Sequence, residues 1–243
     1  MLHISKASLF YIKRKQESME KIKIGNHFIT FRRKKGLKSI RLRLDKNGEF
    51  ILTAPYLCLK STALNFAKNN IEWMTKQQNN YVPQKQFKNG DCIILLGNSY
   101  TITHNPSHKS GVQIIDNNLI VAGEPDFIHR RITDFAKKQL YHYIQNKAIQ
   151  MADKLATKPR KITLRNTSSR WGSCSSLKDL NFCWKLAFAP LFVIDYIVAH
   201  EVSHLIEMNH GENFWKTVAK LNVAQAEAQI WLRKNGKDLQ AIL

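Results

Sequence analysis

Residues 191–215 read LFVIDYIVAHEVSHLIEMNHGENFW, and within them stands His200-Glu201-Val202-Ser203-His204, followed six residues later by His210. Residues four apart lie on one face of a helix, so a helix here sets the imidazoles of His200 and His204 side by side. That arrangement suits one zinc ion, which takes imidazole nitrogens at about 2.0–2.1 Å. Glu201 stands at the edge of the same face, within reach of a water at an open metal position, where a carboxylate serves as general base. A third ligand is needed. Were the helix to run on, six further residues would carry His210 about 9 Å beyond His204. Asn209 and Gly211 tolerate left-handed conformations at helix ends, so the helix is predicted to end near Met208 with His210 turning back to the metal. Glu207, on the helical face of His200, and Glu227, on a later helix, are the alternative third ligands. The remaining histidines, His3, His27, His104, His108, His129 and His142, are scattered and show no comparable spacing.

Upstream, Leu191, Ile194, Val198, Val202 and Leu205 line one side of the helical wheel, and Val193, Tyr196, His200 and His204 line another. A helix apolar on one side and ligating on the other belongs in the middle of a domain, and Pro190 suits its first turn. Before it, Lys161 to Arg165 reads as a strand, and Arg170 to Ser176 with Asn181 to Leu186 as a pair of strands. A long helix over 126–156 is predicted from Ile128, Ile132, Phe135, Leu140, Ile144, Ala148, Ala152 and Leu155, which recur mostly at steps of three and four. Beyond His210, Glu212 to Leu221 and Ala224 to Lys234 read as two short helices whose Phe214, Trp215, Val218, Ile230 and Trp231 close over the far side of the site.

The spacing of the three histidines also matches the metzincin pattern, but that pattern has Gly where Glu207 stands and a later Met-turn, and no methionine follows Met208. A fuller match includes Arg170-Trp171-Gly172-Ser173-Cys174-Ser175-Ser176, Asn181-Phe182, Leu186 to Pro190, Asp195-Tyr196, the HExxH pentad, Asn209-His210 and Phe214-Trp215. With these residues the chain resembles the YgjP-like metallopeptidase family, itself similar to the SprT-type zincins. The resemblance spans most of the chain and is strongest from about residue 160. It implies zinc on His200, His204 and His210 with Glu201 catalytic. The family's usual start matches from about Met19, so residues 1–18 read as an extension or a mis-assigned start.

The segment from Arg170 to Ser176 carries a mechanistic expectation. A strand beside a metal helix can hold an extended peptide through its main chain. Gly172 would allow close approach of a substrate backbone, and Arg170 or Ser173 would stabilise a developing oxyanion. The plainer alternatives are Trp171 as a core anchor and Arg170 paired with a carboxylate.

Among the 243 residues, 38 Lys and Arg face 18 Asp and Glu, a formal net charge of +20. Such a balance bears on solubility and polyanion attraction rather than on fold. Cys58, Cys92, Cys174 and Cys183 show no CxxC pair and no dense framework, which reads as reduced thiols in a cytoplasmic protein. The apolar run from Ala7 to Ile12 is cut short by Lys13, Arg14 and Lys15, too short for a signal-peptide core. Ala187 to Ala199 is too short to span a bilayer, so no membrane association is expected.

From about 20 to 125 the pattern is mostly strand. Ile40, Leu42 and Leu44 alternate with Arg41 and Arg43, and after a turn at Asn47-Gly48 the alternation resumes with Phe50, Leu52 and Ala54. Cys92 to Leu96 and Tyr100 to Thr103 flank Gly97-Asn98, and Val112 to Ile115 and Leu119 to Val121 flank Asn117-Asn118. One helix is expected from a cap at Ser61-Thr62 through Gln78. The cluster Arg32-Arg33-Lys34-Lys35 reads either as protection of a sheet edge or as part of a groove for a polyanion, and the basic surface as a whole as a candidate site for nucleic acid.

These readings predict an α+β chain. A β-rich N-terminal domain over 19–125 precedes a zincin-like domain over 126–243 with a central HExxH helix and a small antiparallel sheet. The expected function is zinc-dependent hydrolysis, with peptide or protein as substrate and Arg170, Gly172 and Ser173 beside it. The alternatives are hydrolysis of a nucleotide phosphoanhydride and a nucleic-acid-binding protein with a structural metal; Glu201 speaks against the last, since a closed structural site has no use for a base.

Overall fold

The structure, a computed structural model, describes residues 20–109, 111–221 and 223–243; the segment 1–18, the start at Met19 and His3 lie outside these. The chain divides into two compact units with the boundary between Gln84 and Lys85.

The first unit opens with a hairpin of β1 (Glu20–Ile24) and β2 (His27–Lys34), turned at Gly25 with φ +58°. β3 (Arg41–Leu44) and β4 (Phe50–Pro55) follow, giving the order β1-β2-β4-β3 with β2 parallel to β4. Between β3 and β4, Asp45 Oδ1 accepts from the amides of Asn47 (2.9 Å) and Glu49 (2.8 Å), and Gly48 takes φ +80°. Alternation then sorts the sheet: Ile24, Ile29, Phe31, Phe50, Leu52 and Ala54 are buried in one core with Ala63, Ala67 and Met74 of two helices. These are α1 (Lys60–Lys68) and α2 (Ile71–Asn79), where the periodicity predicted a single helix. The break lies at Asn69-Asn70, where Asn70 Nδ2 donates to the Phe66 carbonyl at 2.7 Å, the local side-chain bonding by which asparagine competes with helix continuation. The helix also begins one residue before Ser61, with Leu59 at its cap and no side-chain bond there.

The second unit starts at Lys85, whose amide donates to the Ala241 carbonyl at 2.8 Å, tying its two ends together. Strands β5 (Cys92–Leu95), β6 (Asn98–His104), β7 (Val112–Ile115) and β8 (Asn118–Val121) form a sheet of order β5-β6-β8-β7. Their inward residues Ile93, Leu95, Ile102, Leu119 and Val121 share one core with Ile128, Ile132, Leu140 and Ile144. These strands therefore belong with the metal helix, and the boundary lies some forty residues before the position near 125 that the change from strand to helix pattern suggested. After a 3-10 turn at Pro125–Phe127 comes α3 (Ile128–Lys154), close to the expected limits.

β9 (Lys161–Arg165), β10 (Gly172–Cys174) and β11 (Asp179–Cys183) form the expected small sheet, and it is mixed. β11 lies in the middle, antiparallel to β10 and parallel to β9, because the chain returning from β10 slots between the other two. A 3-10 segment, Trp184–Phe188, leads to α4 (Leu191–Ser203), with Pro190 one position earlier than expected, at the cap. α5 (Glu212–Lys220) and α6 (Gln225–Gln240) close the chain. α4 is anchored to α3 through Asp195, which accepts from Tyr143 Oη at 2.7 Å and from Lys147 Nζ at 2.9 Å. Among the described residues no helix is long and apolar enough to cross a membrane.

Candidate metal centre

Ile194, Val198 and Val202 of α4 are fully buried, which fixes the helix's rotation and points His200 and His204 away from that core face. The helix ends at Ser203, earlier than Met208, by tightening: the Leu205 and Ile206 amides donate to the carbonyls of Val202 and Ser203, three residues back. The left-handed cap expected of Asn209 and Gly211 is absent; neither has positive φ, and Gly211 sits at φ −75°. What turns the chain is a three-residue loop in which the Gly211 amide donates to the Asn209 carbonyl at 2.8 Å, with His210 at its centre.

That turn brings His210 Nε2 to 3.1 Å from His200 Nε2. Ligand nitrogens of His200, His204 and His210 all lie within 4.8 Å of one another. Two nitrogens each about 2.05 Å from a tetrahedral ion stand about 3.3 Å apart; the His200–His210 pair is close to that spacing, and the third imidazole lies within 4.8 Å of both. The cluster's protonation suits a metal as well. His204 Nδ1 donates to the Glu207 carbonyl at 2.9 Å, leaving Nε2 with its lone pair free. Burial, reinforced by the neighbouring histidines, pushes His200 down to about 4, and burial also lowers His204. Neutral imidazoles are the ligating form. His200 Nδ1 is buried without a hydrogen-bond partner. Glu207 thus enters through its backbone, and among the described residues the carboxylates of Glu207 and Glu227 are not part of the cluster.

Phe214 of α5, fully buried, forms the floor: its ring stacks on His204 at 4.5 Å between centroids and meets His210 at 4.7 Å and His200 at 4.9 Å. Trp215 stands 6.0 Å from both His200 and His210. Both residues were expected over the site. Ile230 instead is exposed.

Glu201 is only 5% exposed, and burial raises its carboxyl from 4.5 to about 8, with the Arg170 charge pulling the other way. It packs on the backbone of β10. A Cβ on Gly172 would stand 2.5 Å from Glu201 Oε1 and 2.6 Å from its Cγ. The close approach that Gly172 permits is therefore that of Glu201. Gly172, Arg170, His200 and Glu201 line a cleft of about 540 Å³ with Tyr196 and Gln229. Ser173 does not line it; by strand alternation it lies on the opposite face, where Asn181 Nδ2 donates to its hydroxyl at 3.5 Å. Trp171 lines the cleft and packs against the core, its ring close to Gly236. Burial, and then Glu201, push the Cys174 thiol up to about 11, which disfavours its thiolate.

Four contributors escaped the sequence reading. Gln229 donates to Tyr196 Oη at 2.9 Å, and Ile197, Leu232 and Arg233 complete the cleft. The three- and four-residue steps among 229, 232 and 233 on a helix were the available signal.

The family model of the YgjP-like metallopeptidase domain matches residues 38–235. The chain belongs to the YgjP-like metallopeptidase family. A search of curated proteins gives no match. Among solved structures, the crystal structure of the metallopeptidase zymogen of Pyrococcus abyssi abylysin is 17% identical and aligns over 41% of this chain and 99% of that one, with a TM-score of 0.35. Membership of a metallopeptidase family implies a metal ion and a hydrolytic reaction on peptide or protein, and the three-histidine cluster offers a place for the ion.

Proposed function

We propose that this YgjP-like protein is a zinc metallopeptidase in which His200, His204 and His210 hold the ion and Glu201 is the general base. The observation that carries this reading is the convergence of three imidazoles beside a buried carboxylate that is not itself part of the cluster. Three neutral nitrogens with an open fourth position are the donor set of catalytic zinc. When bound, zinc polarises a carbonyl and lowers the pKa of the water it holds to around 7. The same positive charge would favour the ionised form of a nearby carboxyl, opposing the burial that raises Glu201 and favouring the carboxylate that can accept a proton. Glu201 then takes the proton of the attacking water and returns it to the departing amine nitrogen, and Gly172 holds it in place for both transfers.

Substrate positioning follows from the sheet. Among the described residues β10 pairs with β11 alone, so its outer edge could take an extended peptide as a further strand. Arg170, exposed, in no direct ion pair among the described residues and near enough for its charge to act on Glu201, stands in the cleft to receive negative charge that develops on the scissile carbonyl oxygen. Ser173, on the other face, has no part in it. The test is turnover of a peptide library by zinc-loaded wild type and by Glu201→Gln. The variant should hold zinc at the wild-type ratio and lose on the order of 10²–10⁴ in rate; equal rates would remove Glu201 from the chemistry.

A further inference from the structure

The four-stranded sheet of the first unit has one face on α1 and α2 and a second, open face that no other described element of this unit covers. Register shows what the open face carries, because residues paired across strands share a side. Lys21, Thr30, Ile51 and Arg43 form one row across all four strands, and Arg32, Thr53 and Arg41 form the next. Lys23 with Phe28, and Lys34 with Pro55, extend the same face at either end. The run Arg32 to Lys35 is thus split by alternation: Arg32 and Lys34 join this face, whereas Arg33 leaves it and donates to the Tyr56 carbonyl. What replaces the linear cluster is a two-dimensional one drawn from three strands, Lys21 and Lys23, Arg32 and Lys34, Arg41 and Arg43.

Little opposes that charge. The acidic residues between 20 and 84 are Glu20, Asp45, Glu49 and Glu72, and of the six cations only Lys21 has an acidic partner among the described residues, Glu49 at 3.2 Å. Arg32 Nε donates to Thr53 Oγ1 at 3.1 Å, which holds its guanidinium across the sheet. Along a strand, residues two apart are spaced by about 7 Å, so Arg41 and Arg43 present charges at a separation suited to successive phosphates of an extended strand. At one end of this face Phe28 is 66% exposed, beside a hollow of about 350 Å³ walled also by Asn26, Gln78, Glu49 and Lys21. An open aromatic ring next to two amides and a carboxylate is the equipment for stacking a base and bonding its edges.

We propose that the open face of this sheet binds single-stranded nucleic acid, with phosphates on the Arg32, Lys34, Arg41 and Arg43 side and one unstacked base against Phe28. Charge alone would equally suit an anionic lipid surface, but a ring set beside base-edge donors and acceptors favours a nucleotide. The site shares no residue with the metal centre and stands or falls independently of the peptidase reading.

Fluorescence anisotropy of a labelled single-stranded oligonucleotide, titrated with the full-length protein at several salt concentrations, tests this. Binding should weaken with salt, and each phosphate contact should contribute about −0.7 to the slope of log K on log salt. Arg41→Thr with Arg43→Thr, two exposed strand positions, should flatten that slope by about 1.4. Phe28→Ala should lower affinity about tenfold with the slope unchanged. Unchanged melting curves and zinc content would show that both variants fold. No binding at low salt, wild-type affinity in the double variant, or an unaffected Phe28→Ala would overturn the proposal. Displacement of the oligonucleotide by inorganic polyphosphate at equal charge would reject base recognition, and preferential capture by phosphatidylserine vesicles would assign the face to a membrane instead.

Discussion

Replacing Gly172 by alanine tests how Glu201, the proposed base, is held. The new methyl would lie 2.5 Å from Glu201 Oε1, 2.6 Å from Cγ and 2.7 Å from Cδ, where ordinary contacts are about 3.5–4.0 Å. The carboxyl would have to retreat by about 1 Å, and at 5% exposure it has little room to do so. Overpacking of this kind costs about 1–3 kcal/mol, and a displacement of about 1 Å in a catalytic group costs on the order of 10² in rate. Gly172 itself lies outside the left-handed region, so without Glu201 in the way alanine would gain roughly 0.5–1 kcal/mol over glycine in a strand. A double-mutant cycle separates the two. In urea unfolding of the metal-free protein, Gly172→Ala should destabilise the wild type by about 1–3 kcal/mol and be neutral or stabilising in the Glu201→Ala background, a coupling of at least 1 kcal/mol. Zinc-loaded Gly172→Ala should keep its metal and lose about 10² in turnover. An equal cost in both backgrounds, or none in either, would refute the packing of Glu201 on Gly172.

Two further outcomes follow from the same geometry. Because burial raises Glu201 from 4.5 to about 8, the metal-free native state binds a proton that the unfolded chain releases. Its contribution is full below pH 4.5 and is lost as pH rises through 8, on the order of 5 kcal/mol. His200, pushed down to about 4, works the other way, removing stability as pH falls from 6.5 through 4. Urea midpoints of metal-free Glu201→Gln should therefore lack the decline between pH 5 and 8 that the wild type shows, while keeping the loss below 6.5; parallel pH curves would contradict this. Asp195→Ala strands Tyr143 and Lys147 between α3 and α4, and should cost about 1–3 kcal/mol in urea unfolding with zinc still bound at low temperature; an unchanged midpoint would show that the anchor carries no load.

Much of the site was legible because its proposed ligands obey short-range rules. The four-residue step from His200 to His204 puts them on one helical face whatever surrounds them, and alternation from Ile40 to Ala54 marks strands in the same local way. Other features depended on contacts distant in sequence. Gly172 reads as an invitation to a substrate until the fold lays Glu201 across it. The strands from Cys92 to Val121 look like part of a β-rich domain, but their inward side chains find Ile128, Ile132 and Leu140, and the Lys85 amide pairs with Ala241 across the whole unit. The end of the metal helix was misplaced for a smaller reason: glycine and asparagine permit a left-handed cap without requiring one, and here three-residue hydrogen bonds ended the helix first. Likewise the basic run at 32–35 could be divided between two faces only once β2 had a register.

The central claim is that these three histidines hold one zinc ion. Elemental analysis of purified wild type and of the His200→Ala, His204→Ala and His210→Ala variants tests it most directly. The account predicts one zinc per wild-type chain and loss of zinc in each variant, with the far-ultraviolet circular dichroism unchanged. Full occupancy in folded His210→Ala would contradict it and move the third ligand to a carboxylate.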